Sequence, residues 1–210
     1  MMAVSARRRK QRGNAMLESA LCFLPMIAMF FGIIDVCYAV AIQSLFSQAV
    51  RAGARWAITY QSTYDGATCT SQAVCTAQVV ADNSVGFLSA NSSYVTVNYY
   101  IPPNLNTPVM TCSAGTCTAS STITLPYTYS VTTGTSTTSV TISYANQPGN
   151  IVEVTIPSYP LLWMVPVLGF SAGSQVTNSS GKRGLGLTLS ADAMDVLGGL
   201  APGTVVPPSP

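Results

Sequence analysis

Seven carboxylates and six cysteines carry most of the chain's chemistry, and no histidine accompanies them. Ser-His-Asp and Cys-His nucleophiles are therefore excluded, and the commonest metal ligand is missing. Cys69 and Cys75, like Cys112 and Cys117, lack the Cys-x-x-Cys spacing of zinc or thioredoxin-like sites. Asp65, Asp82, Glu153, Asp192 and Asp195 are scattered; only the last two could share a helical face. Carboxylates three apart are usually a solvated face rather than an acid–base pair. The residues thus point to no enzyme and no cofactor. What remains is Glu18, just inside an apolar run, preceded by Arg7, Arg8, Arg9, Lys10, Arg12 and then Gly13. An ionised side chain at the centre of a bilayer costs ~2.5–3.5 kcal/mol. Glu18 therefore either sits at headgroup level or serves a purpose in the membrane.

The elements that would position Glu18 follow from composition. Only 8% of the 210 residues are charged, while 48% are hydrophobic. Charge is far below the roughly 25% of soluble domains, and Ser, Thr, Asn and Gln take its place, as suits an exported envelope protein. Without residues 1–13 the chain keeps four basic and seven acidic residues, a net of −3. The basic cluster precedes an apolar run rather than aromatic or further basic residues, so it reads as a topogenic signal, not a nucleic-acid arm. From Ser19 to Ile34 no charge occurs. That helix would cover ~24 Å of a hydrocarbon core ~30 Å thick. Extending it to Ile42 gives ~36 Å and places Asp35 within the span or near its outer boundary. The positive-inside rule sets the N-terminus in the cytoplasm and the rest outside.

An oxidising compartment suits the cysteines. Local disulfides Cys69–Cys75 and Cys112–Cys117 are the natural expectation, with free buried cysteines as the alternative. Cys22 and Cys37 fall within the span and read as small apolar residues. Beyond the span, Ile42, Leu45, Phe46, Ala49, Val50, Gly53, Trp56 and Ala57 keep helical spacing, and Ser44, Gln48, Arg51 and Arg55 form the polar stripe. One helix, from about Ala15 to Thr59, is expected to lay that apolar face on an outer domain.

Counted from Asn14 as one, Glu18 is the fifth residue. The segment "RGNAMLESALCFLPMIAMFFGIIDVCYAVAIQSLFSQAVRAGARWA" resembles the TadE-like family, the minor pseudopilins of tight-adherence (Flp) type IV pilus systems. The likeness rests on Arg12-Gly13, Glu18, Leu21, Pro25, Gly32-Ile33-Ile34, the acid at Asp35 and Ala-Gly-Ala-Arg from Ala52 to Arg55. It covers residues 12–58 and fades beyond them. Ser19 and Asp35 depart from the commoner pattern, which has an aromatic or another small residue and a Glu there. The resemblance implies cleavage between Gly13 and Asn14 by a prepilin peptidase. It further implies that the new α-amine of Asn14 pairs with Glu18 of a neighbouring subunit. The implied partners are other pilins and pseudopilins, an inner-membrane assembly platform and membrane lipid, with no nucleic acid. A competing reading has signal peptidase cut after "AVA" (Ala39–Ala41), before Ile42, and release a secreted envelope domain that binds a surface or ligand.

The expected organisation is a leader over 1–13, a transmembrane and amphipathic helix over 14–60, a periplasmic α+β domain over 61–201 and a Pro-rich tail over 202–210. The fold class is α+β, a long N-terminal transmembrane helix extending into a mostly antiparallel sheet. "TSQAVCTAQVVADNSVGFL" predicts a short helix. "YVTVNYYI" alternates Val95, Val97, Tyr99 and Ile101 on one strand face, and "NIVEVTIPSY" does so with Val152, Val154 and Ile156, leaving Glu153 outward. The Thr-rich runs on either side of Gly134 predict a hairpin. "PLLWMVPVLGF" reads as a core-covering loop rather than a membrane-skimming one, since two prolines spoil an amphipathic helix, and "LGLTLS" as a last edge strand.

Overall fold

The computed structural model describes residues 3–61, 63–89, 93–133, 135–162, 175–177 and 183–198. The chain divides into two compact units, Met1–Ala41 with Pro160–Leu187, and Ile42–Tyr159 with Thr188–Pro210. Helix α1 runs from Ala3 to Ala57 and crosses Pro25. It starts well before the expected Ala15. Ala, Arg, Lys and Gln are strong helix formers, and one interior Gly costs only about 1 kcal/mol, so helical backbone continues through the basic stretch and Gly13.

The helix changes character along its length. Over residues 16–41 only Asp35 and Ala39 are buried, whereas Met16, Leu21, Leu24, Met29, Phe30 and Ile33 are well exposed. A helix with apolar side chains on every side suits lipid, not water. From Ile42 onward a single stripe is buried, comprising Ile42, Phe46, Ala49, Val50, Ala54 and Ala57. Ser44, Gln48, Arg51 and Arg55 are exposed, as the spacing requires.

Strands β1 (Thr63–Tyr64) and β2 (Ala67–Thr68) form a short antiparallel ladder. Both residues of its Asp65-Gly66 turn have positive φ, the conformation Asp-Gly hairpins favour. Helix α2 (Gln72–Asn83) follows, its N-cap Ser71 accepting the Val74 N–H at 3.3 Å. Next come β3 (Thr96–Tyr100), β4 (Met110–Ser113) and β5 (Thr116–Ala119), then β6 (Tyr127–Thr133) and β7 (Ser136–Ile142). The last three are β8 (Ile151–Leu162), β9 (Gln175–Thr177) and β10 (Arg183–Val196). The main sheet has the order β5-β4-β3-β8-β10-β9, and β6 and β7 form a separate two-stranded sheet. Antiparallel registers join β3 to β4 and β8, β4 to β5, and β9 to β10.

The core lies on one face of β3 and β8, where Val95, Val97, Tyr99, Ile101, Val152, Val154 and Ile156 are at most 1% exposed. Phe46 of α1 meets the Phe87 and Tyr159 rings edge-on. Further expectations need correction. β10 is not a lone edge strand, because Arg183, Gly184 and Leu185 pair with Thr177, Val176 and Gln175 of β9. Asp192 and Asp195 lie on that strand rather than a helix, and positions three apart on a strand point to opposite faces. Of the expected loop over 160–170, Pro160–Leu162 instead form the end of β8, while residues 163–170 and the tail over 202–210 lie outside the described residues.

Candidate functional site

Glu18 sits in the second turn of α1 after Gly13, and its side chain is exposed. Met16, Leu17 and Leu21 around it are 79, 71 and 75% exposed. An acid ringed by exposed apolar side chains is the arrangement a lipid-embedded contact needs. Gly13 and Asn14 lie on the same continuous helical backbone, and Asn14 precedes Glu18 by four residues. That spacing puts their positions on one face, a turn or ~6 Å apart along the axis. Asp35 differs sharply from Glu18, being only 4% exposed. Cys22 and Cys37 are free and exposed within the span.

The far end of the helix explains a motif that sequence reading could only recognise by likeness. Gly53, in Ala-Gly-Ala-Arg, faces α2. A Cβ there would lie 2.4 Å from Val80 Cγ2, and Val is too stiff at χ1 to turn away cheaply. Ala54 is buried and Arg55 exposed, so the small residues set the approach of the two helices and the arginine faces water. A polar clamp completes the joint. Gln72, fully buried, donates from Nε2 to the Ala57 carbonyl at the end of α1 and accepts from Asn146 Nδ2 at 3.1 Å. This satisfies one of the carbonyls a helix end leaves open. Nothing in the periodicity pointed to the clamp. A Gln directly after an N-cap Ser was its sole trace.

On the outer domain Cys69–Cys75 and Cys112–Cys117 lie at disulfide distance, with Cα separations of 5.6 and 4.0 Å. Cys112 and Cys117 stand opposite each other across the β4–β5 ladder. Glu153 is half-buried on the sheet face away from the core, and one of its oxygens accepts from Tyr100 OH at 2.7 Å and Asn98 Nδ2 at 2.9 Å. Burial, and then that hydrogen bond, push the Tyr100 phenol up to about 12. Glu153 is thus tied into the sheet as a structural carboxylate.

Among the described residues one helix, α1, is long and apolar enough to cross a membrane, and it continues into an α+β domain with two cysteine pairs at disulfide distance, the features of a protein with a single-pass membrane anchor. Residues 13–55 of the chain match the family model described as TadE-like protein. The chain therefore carries a TadE-like, pilus-related segment, and that segment holds Gly13, Asn14, Glu18, Asp35 and Ala52–Arg55. No curated protein and no solved structure matches the chain.

Proposed function

We propose that the chain is a minor pseudopilin of a tight-adherence (Flp) type IV pilus, processed by prepilin peptidase and acting in pilus assembly. The observation that carries this reading is Glu18, exposed on an all-round apolar helix and five residues into the stretch that follows Gly13, within the TadE-like match. In this reading the peptidase cuts between Gly13 and Asn14 at the cytoplasmic face. Because that bond lies in helical backbone, the turn must unwind to enter a cleft. Glycine lowers the cost of doing so, since it is the poorest helix former after proline.

The charges then do the work of assembly. Cleavage removes the five basic residues that hold the helix end at the cytoplasmic surface and creates a cationic α-amine on Asn14. Either charge alone is costly in lipid; together they are much less so. The Glu18 carboxylate of one subunit attracts the Asn14 amine of its neighbour and sets the stagger between helices. Other pilins, pseudopilins and an inner-membrane platform are the partners this requires, with the outer domain in the periplasm. Release by signal peptidase before Ile42 has less support, because helix α1 continues unbroken through that bond.

The test is a Glu18→Ala chain expressed with its pilus system. It should be processed normally, yet its recovery with the assembled complex should fall about tenfold or more, since the lost pairing exceeds ~1.4 kcal/mol. Undiminished recovery contradicts the assembly role of Glu18.

A further inference from the structure

The β6–β7 hairpin stands apart from the main sheet. Its register is continuous from Tyr127↔Ile142 to Thr133↔Ser136 without a bulge. The base is anchored, with Ile142 buried, but Ser130, Val131, Thr132 and Ser136 to Ser139 are exposed. Both strands are edges, so alternate residues on each direct unpaired N–H and C=O groups outward. Natural proteins blunt such edges with charge, proline or bulges. This one has none of them. β6 reads "YTYSVTT", and no Asp, Glu, Lys or Arg occurs anywhere between Asp82 and Glu153. A two-stranded hairpin is itself only marginally stable in water. An open, uncharged, strand-favouring edge is the feature that strand addition uses.

We propose that β6 pairs antiparallel with the β6 of a second copy of this chain, around a two-fold axis at Ser130. Three features favour this partner. With no charge on either edge, two copies meet without like-charge repulsion. Pairing about Ser130 sets Tyr129 against Val131 and Thr128 against Thr132, each twice by symmetry. Aromatic–β-branched and Thr–Thr pairs are both favourable across strands. The register also keeps faces matched, since Tyr127, Tyr129 and Val131 share one face while Thr128, Ser130 and Thr132 share the other. Pairing through β7 about Ser139 would set Thr138 against Val140 and bring no aromatic residue to the join. The β5 edge is shorter, and its hairpin is already clipped by Cys112–Cys117. Such an isologous contact closes on itself and gives a dimer.

The inference is independent of the pseudopilin reading, and its test has a separate readout. In full-length chain carrying Cys22→Ser and Cys37→Ser, held in the membranes of the cells that make it, Ser130→Cys should cross-link on mild oxidation with copper–phenanthroline. The product should have twice the chain mass and form several-fold more readily than from Ser139→Cys. A Ser130→Lys chain without the cysteine should lose its self-association in native gels, and mixing it with a Ser130→Glu chain should restore it. Equal cross-linking at Ser130 and Ser139, no cross-link at Ser130, or a product of another mass overturns the proposal. So does a Ser130→Lys chain that associates as the wild type does.

Discussion

At the residue scale the chain pairs costly groups with small, specific supports. Tyr60 and Tyr99 illustrate the cost, because each buries a hydroxyl that finds no hydrogen-bond partner among the described residues. Burial raises the Tyr60 phenol to about 12 and shifts Tyr99 upward as well, with the neighbouring Tyr60 adding to that shift. The linkage follows directly. In the unfolded chain these phenols ionise near pH 10, so above that the unfolded state binds fewer protons than the folded one. Stability should be fully present below about pH 10 and fall as pH rises towards 12. A Tyr60→Phe chain should be at least as stable as the wild type near neutrality, since it loses a buried hydroxyl with no partner among the described residues, and lose less between pH 10 and 12, as read by melting temperature against pH. Parallel alkaline curves for the two chains would contradict this account of Tyr60.

At the element scale the joint between α1 and α2 sets the architecture of the outer domain. Gly53→Ala would force a methyl group against Val80. Overpacking of that kind costs about 1–3 kcal/mol. Melting of purified Gly53→Ala chain should show a lower midpoint, and an added Val80→Ala should recover part of it. An unchanged midpoint in the single variant would mean the helices do not meet closely there. The sequence made much of this legible. Helical spacing named the buried face from Ile42 to Ala57, and strand alternation named Val95, Val97, Tyr99 and Ile101, because burial on one side writes a period into the residues. The Gln72–Asn146 clamp, the β4–β5 pairing and the place of β10 were not legible. They depend on which distant segments meet, and two of them involve polar or Thr-rich residues with no apolar period to read. The N-terminal stretch misled in another way: the Gly before the apolar run looked like a helix boundary, yet strong helix formers on its N-terminal side carried the helix past it.

At the scale of the whole molecule, charge is the organising quantity. Five of nine basic residues precede Gly13, and the remaining chain is uncharged over long stretches. The helix from Ala3 to Ala57 thus joins a cationic end, a largely exposed apolar middle and an amphipathic end with one buried stripe. A cationic end resists crossing the membrane, and in the proposed function its removal turns Glu18 from a liability into a contact. That sequence of events is the centre of the account, and the mass of the mature protein in membranes of its own cells tests it most directly. The account predicts a polypeptide beginning at Asn14, with the first thirteen residues gone and the apolar helix retained. A mature chain that still carries those residues, or one that begins at Ile42, would contradict it.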